Sequence, residues 1–271
     1  MKNLLTIAGS DSGGGAGIQA DIKTFAAHGG YGMSVITSVT AQNTMGVTAI
    51  HDIPADMVCA QMDAVFSDIR VDGVKVGMLS NPEIVSAVAD RLRHYAPKII
   101  IVDPVMVSTS GSKLLSDDAV RLIKSELIPL TTMVTPNIPE AEVLTGLKIS
   151  SIDDMGKAAE IIGALGCRYV LVKGGHLSDT ANDLLYDSDG EIKIFEGTRL
   201  KSKNTHGTGC SISSAICANL AKGMDAAKAV GEAKKYIRVG IENSVSIGHG
   251  SGPIHHFYDL WRTSEPNIEA Q

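Results

Sequence analysis

Between Asn204 and Ala215 the chain reads NTHGTGCSISSA: a polar turn, a glycine–threonine–glycine step, then a cysteine opening a stretch of helical character. The first N–H groups of a helix have no preceding carbonyl to bind, and the helix dipole favours negative charge there. Gly207, Thr208 and Gly209 therefore form a nest suited to a transferring phosphoryl group. Cys210 at that helix start is expected to have a lowered pKa, and its thiolate can accept a proton from a substrate hydroxyl. The plain alternative is a small residue packed inside the helix, as Cys217 is seven positions on. His206 and Cys210, four apart, resemble half of a metal site, but no second pair completes it.

Two further stretches carry chemistry with a bland reading beside it. TPNIPEAEVL has Asn137 as N-cap, Pro139 in the first turn and Glu140 at the third helical position, which is the pattern of a capping box. The same Asn137 and Glu140 can orient a hydrated magnesium ion beside phosphate, since hard cations take oxygen ligands and keep their waters. Asp103 either joins them or is a turn former before Pro104. GSDSGGGAG follows a strand and opens a helix but matches neither G-x-x-x-x-G-K-[ST] nor G-x-G-x-x-G. Nucleotide binding, a tight turn that uses glycine's positive φ, and a loop wrapping a small substrate through its backbone all stay open for it.

The elements that position these residues alternate. Short runs rich in Val and Ile, namely NLLTIAG, GMSVITSVTA, VDGVKVG, KIIIVDPV, TTMVTPN and RYVLVKGG, read as strands. Helical periodicity covers Ala16 to His28, Ala55 to Phe66, Glu83 to Tyr95, Asp117 to Leu127, Asp153 to Leu165, and Cys210 to Ala221, resuming after Gly223. Repeated strand–helix units predict an α/β fold with a mostly parallel sheet covered on both faces. NDLLYDSDGEIKIFEG reads as a hairpin about Asp189-Gly190, and NTMGVTAIHDI as a small β excursion. Ligands of such sheets bind at the carboxyl ends of the strands. Those ends carry Gly9-Ser10-Asp11, Gln42-Asn43, Gly77-Met78, Asp103, Asn137 and Lys173.

Composition excludes several classes. With 44% hydrophobic and 20% charged residues, 271 residues can bury a full core, and residues 1–271 are expected to form one domain. Against 30 acidic residues, 24 basic ones give a formal charge of −6, with no basic run suited to nucleic acid. No apolar stretch long enough to span a membrane and no secretory signal is expected. Four cysteines without a C-x-x-C pair suit a reducing, cytoplasmic setting.

TIAGSDSGGGAGIQADIKTF, AQNT, VKVGML, VDPVMV, TPNIPEAE, VLVKGGH, KNTHGTGCS and GHGSGPIHHF occur in collinear order from about Leu4 to Phe257. Together they resemble the hydroxymethylpyrimidine/phosphomethylpyrimidine kinases of thiamine biosynthesis. The resemblance implies a ribokinase-like three-layer α/β/α sandwich. It also implies two successive phosphorylations by ATP with Mg²⁺, first of 4-amino-5-hydroxymethyl-2-methylpyrimidine and then of its monophosphate. Carried over, Gly9, Ala16 and Asp21 lie near the pyrimidine, Gln42 reads its ring, and Thr40, Met78 and Val105 wall it. Asp21 would accept from the exocyclic amine. Asn137, Glu140, Lys173 and Thr208 serve ATP, with Asp103 and Glu140 toward the metal. Cys210 stands where sugar kinases of this fold carry an aspartate base, with Gly207, Thr208 and Gly209 around the reacting phosphoryl group. Ser108-Thr109 and Gly13 depart from the family pattern without touching a named contact. Partners are expected to be ATP, a small pyrimidine and a second copy in a homodimer. The alternatives are a pyridoxal or pyridoxine kinase, against which Gln42 argues, and a nonenzymatic pyrimidine or ATP sensor.

Overall fold

The computed structural model of the chain describes residues 1–106, 115–175 and 181–262; Ser108 and Thr109 lie outside them. Among the described residues one sheet holds nine strands: β1 (Asn3–Asp11), β2 (Tyr31–Asn43), β3 (Gly46–Asp52), β4 (Gly73–Val76), β5 (Ile100–Val102), β6 (Met133–Val134), β7 (Tyr169–Val172), β8 (Asp183–Asp187) and β9 (Ile192–Phe195). The spatial order is β3-β2-β1-β4-β5-β6-β7-β8-β9. The run from β2 to β7 is parallel throughout, while β3, β8 and β9 pair antiparallel at the two edges.

The near-continuous apolar runs of the parallel strands are explained by burial on both faces. Leu5 and Ile7 of β1, Val74 and Val76 of β4, Ile100 and Val102 of β5 and Val170 and Val172 of β7 face one way. There they meet α2 (Ala55–Asp68), α3 (Pro82–Tyr95), α4 (Asp117–Leu122), α5 (Ile138–Thr145) and α6 (Ile152–Gly163). Their alternates Leu4, Ile101, Met133 and Leu171 face the other way, onto α1 (Gly17–Ala27), α7 (Thr208–Ala221) and α8 (Ala226–Glu242). The result is a three-layer α/β/α sandwich. A last short helix, α9 (Tyr258–Trp261), follows the tail.

The helix expected from Asp117 to Leu127 keeps regular geometry only to Leu122, then widens over Ile123–Leu127 and tightens over Ile128–Leu130, where Pro129 supplies no N–H. The hairpin and the β excursion form as β8–β9, turning at Gly190 with φ of 91°, and as β2–β3. After β1 the chain runs outward to β2 and β3, then returns to β4 on the other side of β1. That reversal is a topological switch point, and the crevice beyond the strands' carboxyl ends is the place for a ligand.

Candidate active site

A cleft of about 420 Å³ opens there. The ends of β1, β2 and the loops after β4 to β7 bring Gly9, Thr40, Gln42, Met78, Asp103, Val105, Asn137, Glu140 and Lys173 to its wall. Ala16 and the α7 start, Gly207, Thr208, Gly209 and Cys210, complete it. Gly9 is required by close approach: a Cβ there would stand 2.6 Å from Met78 Cε and 2.8 Å from Ser38 Oγ.

Asp21 is the exception and corrects the expectation that it touches the ligand. It is fully buried behind the cleft wall, where Oδ2 accepts from Thr6 Oγ1 at 2.6 Å and from Lys75 Nζ at 2.9 Å, and Oδ1 from Ser214 Oγ at 2.7 Å. With both oxygens engaged, Asp21 holds α1, β1, β4 and α7 together rather than an amine. Lys75, its partner, does line the cleft. Burial opposes its charge, yet Asp21 foremost, then Cys210 and Asp103, hold the ammonium above its ordinary range.

The two ends of the glycine loop, Gly9-Ser10-Asp11 and Ala16-Gly17, line the cleft, while amides between and beside them are held by Asp11. Gly13 N donates to Asp11 Oδ1 at 2.8 Å, and Gly15 N and Ala16 N donate to Oδ2 at 2.9 and 2.8 Å. His206 Nε2 lies 3.1 Å from the same Oδ2. Burial works against the Asp11 charge, but His206 and the loop amides outweigh it and keep the carboxyl below its usual range.

At the strand ends beyond β5 to β7, Lys173 Nζ donates to Asp103 Oδ1 at 2.8 Å. Asn137 and Glu140 form the complete capping box, Glu140 N to Asn137 Oδ1 at 2.9 Å and Asn137 N to Glu140 Oε2 at 2.8 Å, while still lining the cleft. The two readings of this motif are thus compatible. Burial, with Asp103 adding, pushes the Glu140 carboxyl up to about 7, against Lys173 and the amides of Asn137 and Met106. Two buried carboxylates side by side are a donor set that a hard cation would relieve, so Asp103 and Glu140 fit a magnesium ion that completes its shell with water and phosphate. No group of three His, Cys, Asp or Glu side chains that could hold a metal ion occurs among the described residues.

Helix α7 is preceded by Gly207 as its N-cap, whose φ of 77° is left-handed. A Cβ at Gly207 would collide with the Gly15 carbonyl oxygen, and one at Gly15 with His206 Cδ2. The two glycine-rich loops therefore touch, and the N-termini of α1 and α7 converge on one cleft. Cys210 and Cys217 part company: the second is core, with Sγ at 3.0 Å from a Cβ placed on Gly73, and the first lines the cleft. The expected lowered pKa of Cys210 is overturned. Burial pushes the thiol up to about 11, Asp21 and Asp103 add to this, and the opposing pull of Lys75 and the Gly17 N–H does not offset it.

Lys75 escaped the reading of the sequence, and Asp11 and His206 were named there without the contact that joins them. Lys75 had a signal, a lone charge between Val74 and Val76 in a strand expected to be buried on both faces. Asp11, an Asx side chain ahead of a glycine-rich loop, had one too. The contribution of His206 depends on a partner 195 positions away and had none.

Residues 11–255 match the family model described as phosphomethylpyrimidine kinase. The chain is similar to a hydroxymethylpyrimidine/phosphomethylpyrimidine kinase of Rhizobium meliloti (strain 1021), 52% identical over 262 residues, which cover 95% of this chain and 98% of the relative. Among solved structures it resembles a phosphomethylpyrimidine kinase from Clostridium difficile 630, with TM-score 0.79 and 48% identity over 88% of this chain and 98% of that one. It also resembles Bacillus subtilis pyridoxal kinase in its ADP complex, with TM-score 0.89 and 36% identity over 96% and 99% of the two chains. The fold is ribokinase-like. The length and level of these matches, on a chain whose switch-point cleft gathers seven of the eight motifs that carried the resemblance, the tail motif GHGSGPIHHF being the exception, mean that it belongs to the phosphomethylpyrimidine kinase family.

Proposed function

We propose that the chain phosphorylates the hydroxymethyl group of 4-amino-5-hydroxymethyl-2-methylpyrimidine with ATP and then phosphorylates the monophosphate, both in the one cleft. The observation that carries this is the composition of that cleft. An amide that can pair with an aminopyrimidine edge, Gln42, shares it with the Lys173–Asp103 pair, Glu140 and the N-terminus of α7. Phosphoryl transfer asks a protein mostly for positioning and charge stabilisation, and those are the groups present.

In the first step Cys210 first loses its thiol proton to solvent; the hydroxymethyl oxygen then bonds to the γ-phosphorus, the bond to the ADP oxygen breaks, and the hydroxyl proton passes to the Cys210 thiolate. The thiol is protonated at rest, so Lys75 and the Gly17 N–H, the two groups that favour the thiolate, set how much of the base is available. In the second step the attacking phosphate oxygen is already anionic and needs no such acceptor. Gly207, Thr208 and Gly209 cradle the transferring group. Magnesium, held by Asp103 and Glu140, would offset the charge of the phosphates. Thr40, Met78 and Val105 wall the ring.

No helix among the described residues is long and apolar enough to cross a membrane. A cytoplasmic site and a homodimer are part of the proposal. A pyridoxal side activity is the second reading, favoured by the backbone likeness to a pyridoxal kinase. Incubation of the purified protein with Mg-ATP and hydroxymethylpyrimidine should yield monophosphate and then diphosphate by mass spectrometry. Monophosphate alone after long incubation would rule out the second step, and no pyrimidine product beside phosphorylated pyridoxal would favour the second reading.

A further inference from the structure

Lys173 reaches the cleft from the first residue past the end of β7, where the ladder that holds the strand runs out. Pairing with β8 stops at Val172 and Leu184. On the β6 side Lys173 N still donates to Pro136 O at 2.8 Å. On the β8 side a side chain takes over from the backbone: Gly174 N donates to Asp183 Oδ1 at 2.9 Å. The approach is close, since a Cβ on Gly174 would strike the Asn182 carbonyl oxygen. The other oxygen, Asp183 Oδ2, accepts from Lys234 Nζ of α8 at 2.6 Å. The same ammonium donates to Phe195 O at 3.1 Å and to Ala181 O at 3.2 Å, which uses all three of its hydrogens. Asp183 is thus buried with both oxygens engaged, and neither can turn away without leaving a donor unpaired.

Holding β8 and β9 together does not require this pair. Ala181 N donates to Gly197 O and Gly197 N to Asn182 Oδ1, both at 2.9 Å, and the two strands carry a ladder of their own. What Asp183 adds is a bond to the residue next to Lys173, whose Nζ meets Asp103 Oδ1 at 2.8 Å and would lie 3.5 Å from a Cβ on Gly209. We propose that the Asp183–Lys234 pair is a positioning device for phosphate binding: by fixing the Gly174 N–H it sets the backbone from which Lys173 extends, and so holds the Lys173 ammonium between Asp103 and the start of α7. A lysine stem loses much rotamer freedom when it is ordered, so a backbone fixed on both sides leaves only the stem to order when phosphate arrives. Asparagine in place of Asp183 cannot do the same, because it offers one oxygen to two donors and turns an NH₂ toward the other. This inference rests on the reading that Lys173 serves the phosphates of ATP.

The test is a double-mutant cycle read as the calorimetric Kd for Mg-ATP, with the Kd for hydroxymethylpyrimidine as the control. The expected result is that Lys173→Met and Asp183→Asn each weaken Mg-ATP binding, the second by about tenfold, the scale of one buried hydrogen bond left unmade. Asp183→Asn should leave pyrimidine binding unchanged. In the Lys173→Met background it should cost Mg-ATP nothing further, because the side chain it acts through is gone. A merely structural role would lower the melting temperature and either leave Mg-ATP binding alone or weaken both ligands together. Either result, or additive losses in the double variant, would overturn the proposal. If Lys173→Met leaves Mg-ATP binding intact, the underlying reading of Lys173 fails, and the inference with it. Should Asp183→Asn not fold, hydrogen exchange of the wild-type Gly174 amide decides: protection like that of the β7 ladder amides supports the device, and exchange as fast as an open loop overturns it.

Discussion

Cys210 shows how two local rules compete at one atom. A helix N-terminus favours a thiolate, but the low-dielectric wall of the cleft disfavours an isolated charge, and burial dominates here. The consequence is a pH signature. With its pKa pushed up to about 11, the thiolate fraction grows roughly tenfold per pH unit through the neutral and mildly alkaline range. If Cys210 takes the proton, single-turnover rates of the first step should climb from pH 7 to 9 in the wild type. Cys210→Ala should flatten that climb and lower the step by roughly 10²-fold or more. The second step should keep its rate and its pH dependence in both proteins. A first step that stays fast and pH-sensitive in Cys210→Ala would leave the thiol as packing. Asp21 carries the complementary lesson. Its place in the glycine-rich motif suggested ligand contact, but which side of α1 it faced was decided by Lys75, 54 positions downstream, and no local pattern announces such a partner.

At the scale of elements, helices and strands were legible because their periodicity is local: α1 was expected from Ala16 to His28 and spans Gly17–Ala27, and α3 was expected from Glu83 and starts at Pro82. The cleft's residues were legible too, since they follow strands whose carboxyl ends must share an edge. Hidden from the sequence were contacts between elements, such as the loop of β1 lying against the start of α7. The two glycines of that start separate these levels. Gly207 combines a φ of 77° with a Cβ that would strike the Gly15 carbonyl, so Gly207→Ala should lower both melting temperature and kcat/KM. Gly209 has room: a Cβ there would lie 3.5 Å from Lys173 Nζ and 3.6 Å from Asp103 Oδ2, ordinary contact distances. Gly209→Ala should therefore melt with the wild type or slightly above it, as alanine suits a helix better. It would also intrude where the phosphoryl group is proposed to pass, so kcat should fall. A fully active Gly209→Ala protein would move the transfer away from this turn.

Across the whole molecule, the tail that braces His206, through the bond from His206 N to Gly252 O, is itself clamped by a buried histidine between two helices. The Tyr236 hydroxyl of α8 is hydrogen-bonded to His256 Nδ1 at 2.9 Å, Thr24 Oγ1 of α1 lies 3.4 Å from the same nitrogen, and His28 packs in a T-shaped contact with the Tyr236 ring. His256 Nε2 is buried with no partner among the described residues. Burial foremost, with Lys23 and His255 adding, drives the imidazole down to about 4, so the native state holds it neutral while the unfolded chain protonates near 6.5. Stability is therefore complete above about pH 6.5 and lost as pH falls toward 4, because the unfolded state takes up the proton first. The difference in affinity amounts to roughly 2 kcal/mol of lost stability between pH 7 and pH 5 from this one group. His28, lowered by burial first and by Lys222, adds in the same direction. Urea unfolding at pH 7, 6 and 5 should show that loss in the wild type. His256→Gln, less stable at pH 7 but without the titrating ring, should lose correspondingly less on acidification. Equal losses in the two proteins would mean that the acid sensitivity of the fold lies elsewhere and that the His256 clamp contributes none of it.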